Sequence, residues 1–125
     1  MSDRELRDEI MTLMVAGQET SAILLTWACA LLAWHPEVQD RLREEVDEVL
    51  QGAPPSSSSE LPFMDAVLLE TMRVLPPAYM VGRCAKEDVS LGGYDIPQGT
   101  TMLVGCVAMH RDPRWWGKNA GRFDP

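Results

Sequence analysis

Hydrophobic positions in the first part of the chain recur at helical spacing and then spread around the whole circumference of the helix. The spacing over about residues 3–34 is that of one helix face, and the stripe consists of Leu6, Ile10, Leu13, Met14 and Gly17. Beyond Ala22 almost every position is apolar, and such a helix is usually enclosed by protein. We therefore predict a long central helix that ends at His35-Pro36, because proline cannot continue it.

Two amphipathic segments predict two further helices. The first, at about 36–50, begins with proline, which is favoured at the first helical position, and its polar face carries Glu37 and Arg41 at the i,i+4 spacing of an ion pair. The second lies at about 62–74 and ends before a pair of prolines. Between them, residues 52–59 (GAPPSSSS) have the composition of a flexible surface loop.

After the third helix the pattern changes to short β-prone runs in a region at about 79–107. The runs lie at 79–84, 89–91, 94–96 and 101–107, and glycine-containing turns separate them. A further short turn or helix is expected around 110–116. The predicted fold class is mainly α with a small β portion (α+β): a long central helix, two further helices and short β-hairpin strands.

Composition narrows the function. The 125 residues include 19 Asp+Glu and 11 Lys+Arg, a formal charge of -8, which argues against nucleic acid as a partner because phosphate binding needs a basic surface. Cys29, Cys84 and Cys106 lack metal-ligand spacing and are expected to be reduced, intracellular thiols. The longest apolar stretch, 22–34, is shorter than the roughly 20 residues of a membrane span. No anchor is predicted from it, and membrane attachment stays unknown.

Small residues, a hydroxyl and a carboxylate cluster on the first helix. Ala16, Gly17 and Thr20 share a face because they lie three and four residues apart. The Thr20 hydroxyl can donate to the carbonyl of Ala16, and Glu19 beside it would be costly to bury without a partner. Together they suit a groove that holds a diatomic molecule beside a proton path. The alternative is a helix–helix contact in which Glu19 reaches solvent.

An acid and a base, Glu70 and Arg73, lie three residues apart on the third helix. Such pairs are usually exposed and contribute little to stability. Apolar residues flank both, however, so we predict that the pair is buried and binds further backbone or side-chain partners. Its predicted role is structural, not catalytic.

In this order, the motifs resemble those of the cytochrome P-450 superfamily. The run 16–20 (AGQET) is similar to the oxygen-binding signature of the family's central helix, and Glu70-x-x-Arg73 is similar to its E-x-x-R helix. Residues 93–100 (GYDIPQGT) are similar to the family's G-Y-x-I-P-x-G-T hairpin, and 110–113 and 122–125 match further family motifs. The resemblance covers essentially the whole chain.

The resemblance implies a cofactor and residues that serve it. Thr20 and Glu19 would act in oxygen binding and proton delivery. Ala16 and Gly17 would lie against the face of a haem (heme, iron protoporphyrin IX), which is expected for the full-length protein. Arg83, in a strand after the E-x-x-R helix, would bind a haem propionate.

A substrate pocket and a buried network are also implied by the resemblance. Ala78, Tyr79 and Met80 would line the pocket opposite the central helix. Glu70 and Arg73 would hold the fold beneath the haem together with a further basic residue, which in the family follows the F-x-P motif. That residue would lie beyond Pro125.

The sequence departs from the family pattern at the iron ligand. The axial cysteine of the family stands in a glycine-rich F-x-x-G-x-R-x-C-x-G loop, and none of the three cysteines has that context, so no metal ligand is predicted here. We expect 1–125 to be a partial cytochrome P-450 domain without its N-terminal half and its haem-cysteine loop. The run 73–79 (RVLPPAY) resembles plant and algal carotenoid-ring hydroxylases.

Two hypotheses of function follow. In the first, the chain is a piece of a haem-dependent monooxygenase that activates dioxygen and hydroxylates an apolar small-molecule substrate, with electrons from a reductase or ferredoxin. In the second, it is a non-catalytic truncated fragment or a small helical interaction module that binds no haem. The fragment by itself is expected to be inactive and to expose apolar surface. Its expected location is intracellular, with the endoplasmic reticulum membrane or a plastid as candidate compartments.

Overall fold

The computed structural model describes residues 1–57 and 60–125. In chain order its elements are α1 (Asp3–Trp34), α2 (Pro36–Leu50), α3 (Pro62–Val74), β1 (Met80–Cys84), β2 (Val89–Leu91), β3 (Tyr94–Ile96), β4 (Thr101–Gly105), α4 (Cys106–His110) and α5 (Pro113–Trp116). They fall into two compact units: a helical unit, Met1–Pro77 with Gly121–Pro125, and a β unit, Ala78–Ala120. The predicted fold class, mainly α with a small β portion, is confirmed.

Helix α1 has a sequence-encoded start and stop. Ser2 and Glu5 form a capping box, in which the Ser2 hydroxyl accepts the N–H of Glu5 and the Glu5 carboxylate accepts the N–H of Ser2, so two donors of the first turn are satisfied. At the other end, His35 precedes Pro36, and a residue before proline is disfavoured in the helical conformation. The chain therefore turns there and enters α2.

The core of the helical unit is built from all three of its helices and from the segment Gly121–Pro125. Its buried side chains are Leu31, Leu42, Phe63, Val67, Val74 and Phe123. Val67 and Thr71 of α3 are fully buried, and the ring of Phe123 lies 5.2 Å from that of His35. The end of the chain is thus part of this core.

Much of α1 stays exposed. Its only buried residues are Ala28 and Leu31, whereas Leu13 is 72% exposed and Leu25 is 60% exposed. The expectation of a helix enclosed by protein is not met within this chain, because α2 and α3 cover only one side near its C-terminal end. Helix α1 is also long and apolar enough, by length and composition, to cross a membrane, a property that core helices of soluble proteins share.

Two details of the helical unit differ from the expectations. Arg41 does not pair with Glu37: its guanidinium lies over the ring of Phe63, and Glu37 contacts His35 instead. The desolvated ring face offers the cation a better site than an exposed carboxylate does. Of the predicted loop 52–59, residues 58 and 59 lie outside the described residues.

The β unit contains two antiparallel pairs. Strand β1 pairs with β4, with Arg83 opposite Met102, and β2 pairs with β3. Gly92 and Gly93 connect β2 to β3 and both have positive φ, 60° and 85°, as a two-residue hairpin turn of the favoured hand requires.

The first and last predicted strands are shorter in the structure. Strand β1 begins at Met80, not Tyr79, and β4 ends at Gly105, so that residues 106 and 107 belong to helix α4. The ladder of β1 and β4 ends at the pair Met80 and Gly105. Beyond it the N–H of Val107 still donates to the carbonyl oxygen of Tyr79 at 3.4 Å, but out of the ladder's register. Without a strand pair, the β-prone residues lose the packing on which strand propensity depends.

Candidate functional site

The small-residue face of α1 carries the hydrogen bond that the sequence predicts. Oγ1 of Thr20 donates to the carbonyl oxygen of Ala16 at 2.7 Å, and Oγ of Ser21 donates to that of Gly17 at 2.9 Å. Two consecutive carbonyls therefore each receive a side-chain hydroxyl. Such back-bonding competes with the regular ladder and often bends a helix.

This face is open in the described chain. Ala16, Gly17, Glu19 and Thr20 are all exposed, and a Cβ added at Gly17 would meet no atom within 4 Å. A shallow depression beside it is lined by Met11, Thr12, Val15 and Ala16. Of the two interpretations of Glu19, the described chain places its carboxylate at the surface. No helix crosses at Gly17 among residues 1–57 and 60–125, so an open face is available for a bound group.

Glu70 and Arg73 form a buried, bidentate ion pair. Nε of Arg73 lies 2.6 Å from Oε2 of Glu70, and Nη2 lies 2.7 Å from Oε1, while the two side chains are 8% and 13% exposed. The hydrogen bonds that Arg73 donates to Glu70 raise the pKa of Arg73, against the opposing effect of burial. The pair is therefore largely removed from solvent.

The same pair binds the last residues of the chain through main-chain atoms. Nη2 of Arg73 donates to the carbonyl oxygen of Arg122 at 2.7 Å, and the N–H of Asp124 donates to Oε1 of Glu70 at 3.0 Å. These are the backbone partners that a buried pair needs to satisfy its remaining donors and acceptors. Glu70 and Arg73 thus join α3 to the segment that carries Phe123.

A contact between α2 and the start of α3 was not predicted from the sequence. Oε1 and Oε2 of Glu45, on α2, accept the N–H groups of Phe63 and Met64 in the first turn of α3, at 2.8 and 2.9 Å. Glu45 lies among several acidic residues on an amphipathic helix, where exposure to solvent is the default interpretation. An apolar N-cap residue, Leu61, was the available signal that an acceptor must come from elsewhere.

The remaining predicted site residues lie in the β unit. Arg83 is exposed on β1, and its Nη1 donates to the carbonyl oxygen of Gly82 at 2.8 Å. Ala78, Tyr79 and Met80, at and just before the start of β1, are exposed as well. Each of these side chains is accessible to a ligand, and the structure brings Arg83 onto the same strand as Met80.

Comparison with known proteins first identifies the fold. A zebra fish cytochrome P450 solved with progesterone superimposes with a TM-score of 0.84 and is 39% identical, over 91% of this chain and 28% of that one. A second zebra fish cytochrome P450 structure, with abiraterone, gives 0.85 and 39%, over 92% of this chain and 28% of that one. The long helix, shorter helices and small sheets are therefore those of a cytochrome P450.

Sequence comparison agrees. The family model "Cytochrome P450" matches residues 1–125. Cytochrome P450 734A6 of Oryza sativa subsp. japonica is 42% identical over 97% of this chain and 23% of its own length. Pentalenene oxygenase of Streptomyces avermitilis is 39% identical over 100% and 28%, and cytokinin hydroxylase of Arabidopsis thaliana is 41% identical over 96% and 24%. The chain belongs to the cytochrome P450 family and spans about a quarter of the length of these relatives.

Haem is the cofactor of this family, and two features in different units of the chain are each compatible with it. The open face at Gly17 can accept a flat apolar group, and exposed Arg83 can pair with a carboxylate. None of the three cysteines lies in the glycine-rich sequence context of the family's axial ligand. Cys29 lies twelve residues after Gly17 on α1, about 18 Å along the helix. Cys84 and Cys106 donate weakly to the carbonyls of Ala85 and Val104.

The described residues were also compared with the ligand sets of other metal sites. Within residues 1–57 and 60–125, no cluster of three or more His, Cys, Asp or Glu side chains could hold a metal ion.

Proposed function

We propose that the whole protein containing this chain is a haem-dependent monooxygenase that inserts one oxygen atom from dioxygen into an apolar small molecule. Membership of the cytochrome P450 family supports this, as do the names oxygenase and hydroxylase among its relatives. The electrons would come from a reductase or a ferredoxin. When bound, the haem supplies the oxygen-binding iron and, through its thiolate, the electron density that favours O–O cleavage.

The observation that carries the proposal is the hydroxyl of Thr20 at an open helix face. Its proton is held by the carbonyl of Ala16 at 2.7 Å, and a rotation about χ1 would turn the same O–H outwards. Thr20 would then donate a hydrogen bond to bound oxygen. The exposed carboxylate of Glu19, adjacent in sequence, would exchange protons with solvent and replenish the site.

The other residues would bind and orient. Ala16 and Gly17 would lie against the haem face, where small side chains permit close approach of a flat group. Arg83 would pair with a propionate through its guanidinium, which is suited to carboxylates.

Substrate contact and support would come from two further groups. Ala78, Tyr79 and Met80 would contact the substrate, and their exposure leaves them accessible to it. Glu70 and Arg73 would be structural, a role that their burial and main-chain contacts support.

Substitution of Thr20 tests the proposal. In the intact enzyme, Thr20→Ala removes the hydroxyl, so we expect the ratio of product formed to oxygen consumed to fall by up to about a hundredfold, the lower end of the contribution of one proton-transfer group. Thr20→Ser keeps a hydroxyl at the same position and should retain most of the coupling. An unchanged ratio in Thr20→Ala would refute the assigned role.

The alternative is a non-catalytic fragment or a small helical interaction module that binds no haem. The exposed apolar residues of α1 favour it, since large apolar patches often mark interaction surfaces. A carbon monoxide difference spectrum of the 125-residue chain mixed with haem tests whether the chain by itself supplies a thiolate ligand. We expect no thiolate-type band, because none of its cysteines lies in the glycine-rich context of the family's axial ligand. A thiolate-type band would overturn that assignment of the cysteines.

Two narrower properties are also proposed. The similarity of 73–79 to carotenoid-ring hydroxylases favours a large, apolar, ring-containing substrate. The protein would act inside the cell, with the endoplasmic reticulum or a plastid as its compartment.

A further inference from the structure

The first turn of α3 depends on a side chain from another helix. A helix leaves its first N–H groups without intrahelical partners, and Leu61 at the N-cap has no side-chain acceptor for them. Glu45 of α2 supplies both acceptors, at 2.8 Å for Phe63 and 2.9 Å for Met64. A carboxylate is also favoured at this end by the helix dipole.

Arg41 strengthens the same contact. It lies one helical turn before Glu45, and residues four apart share one face of a helix. Its guanidinium carbon lies 3.8 Å from the centroid of the Phe63 ring, within the range of a cation–π interaction. Helix α2 therefore contacts the first turn of α3 through two charged side chains: Glu45 accepts backbone N–H groups, and Arg41 lies over the Phe63 ring.

The far part of α3 carries Glu70 and Arg73, which bind the main chain of Arg122 and Asp124. Between the two ends, Val67 and Thr71 are fully buried, so α3 is packed along its length. A close-packed helix moves as a unit more readily than it deforms. A shift at its first turn would therefore reach the bonds at 122 and 124.

We propose that Glu45 is a positioning residue of the cytochrome P450 site. By capping α3 from α2, it sets the position from which Glu70 and Arg73 hold the backbone at 122–124. Its relevance to haem rests on the proposed function, whereas the positioning itself concerns contacts within this chain. Glu45 would act through α3 and would touch neither substrate nor cofactor.

Hydrogen exchange of the intact protein, measured by mass spectrometry, tests this proposal. In Glu45→Ala we expect exchange in a peptide covering 62–70 to be about fivefold faster, the effect of a lost helix cap. Exchange should also quicken in a peptide covering 118–125, where the N–H of Asp124 is bonded to Glu70. Glu45→Gln should recover part of the protection in both peptides, because its amide oxygen accepts one of the two N–H bonds.

The matched control is Glu44→Ala, which removes the same charge from an exposed neighbour on α2 and should leave both peptides unchanged. Faster exchange at 62–70 alone would make Glu45 a local cap and overturn the proposal. A uniform increase over all peptides, without recovery in Glu45→Gln, would overturn it too. The measurement needs neither haem nor turnover, so it stands or fails independently of the monooxygenase assignment.

Discussion

The guanidinium of Arg73 donates both to the Glu70 carboxylate and to the carbonyl of Arg122. Glu70 raises the pKa of Arg73 above its ordinary value. A raised pKa contributes stability that is complete below the unfolded-state pKa and is lost only as the pH rises through the folded-state pKa. Since both values lie far into the alkaline range, the charge of Arg73 does not limit this contact under physiological conditions.

Replacement of this guanidinium is therefore more informative than a change of pH. Arg73→Met keeps much of the apolar volume but leaves the Glu70 carboxylate buried without its cation. We expect a loss of about 3–5 kcal/mol in the free energy of unfolding, measured by urea denaturation of the intact protein.

The control is Arg43→Met, which breaks an ion pair with Asp40 whose side chains are 60% and 65% exposed. That loss should be about 0–1 kcal/mol. Similar losses in the two variants would show that burial of the Glu70 pair has no special energetic weight.

Among the elements, α5 is a single turn whose start depends on one carboxylate. Asp112 accepts the N–H of Arg114 at 2.9 Å and also binds its guanidinium. The side-chain hydrogen bond from Arg114 lowers the pKa of Asp112 below its ordinary value. A lowered pKa contributes stability that is present above the unfolded-state pKa and is lost as the pH falls through the folded-state value.

Helix α5 should accordingly persist on acidification until the pH falls below 3.8, the ordinary pKa of an aspartate. Two-dimensional NMR of the indole N–H signals of Trp115 and Trp116 can follow this transition. Asp112→Asn removes the titrating carboxylate, so the indole signals of this variant should not show the acid transition. A midpoint above 3.8 in the unmodified protein would contradict the lowered pKa.

Local patterns were sufficient to predict α1, α2 and α3, because apolar periodicity and the prolines at 36 and 76 are properties of neighbouring residues. They failed at 106–107, where β-prone side chains enter a helix once the pairing of β1 with β4 ends. Burial of Glu70 and Arg73 could be predicted from their apolar neighbours. Their bonds to main-chain atoms of 122 and 124 could not, because backbone groups carry no sequence signature.

The cap provided by Glu45 shows the same limit. Its partners lie 18 and 19 residues away, and a glutamate on the polar face of a helix is solvated by default. Likewise, residue types predicted a groove for a diatomic molecule at Thr20. Whether that helix face is exposed, however, depends on which other elements pack against α1. Contacts between distant segments, not local propensities, decide both features.

At the scale of the whole molecule, helix α1 carries more apolar surface than the rest of the described chain buries. Large apolar side chains along this helix are exposed, and they are Leu6, Ile10, Met11, Leu13, Met14, Val15, Leu25, Trp27 and Trp34. Single exposed apolar residues are ordinary, whereas a large exposed apolar surface favours association. The formal charge of -8 opposes association but is not concentrated on the apolar part of α1.

We therefore expect the 125-residue chain to self-associate in solution, with a sedimentation-derived mass that rises above 13.9 kDa as its concentration increases. Leu13→Gln with Leu25→Gln should reduce this association, because glutamine keeps a high helix propensity and removes apolar area without changing the net charge. Replacement of the polar, exposed Thr12 and Thr26 by Gln, which also keeps the net charge, is the control and should leave the association unchanged. A wild-type chain that stays at 13.9 kDa at all concentrations would show that the exposed apolar residues of α1 do not drive association.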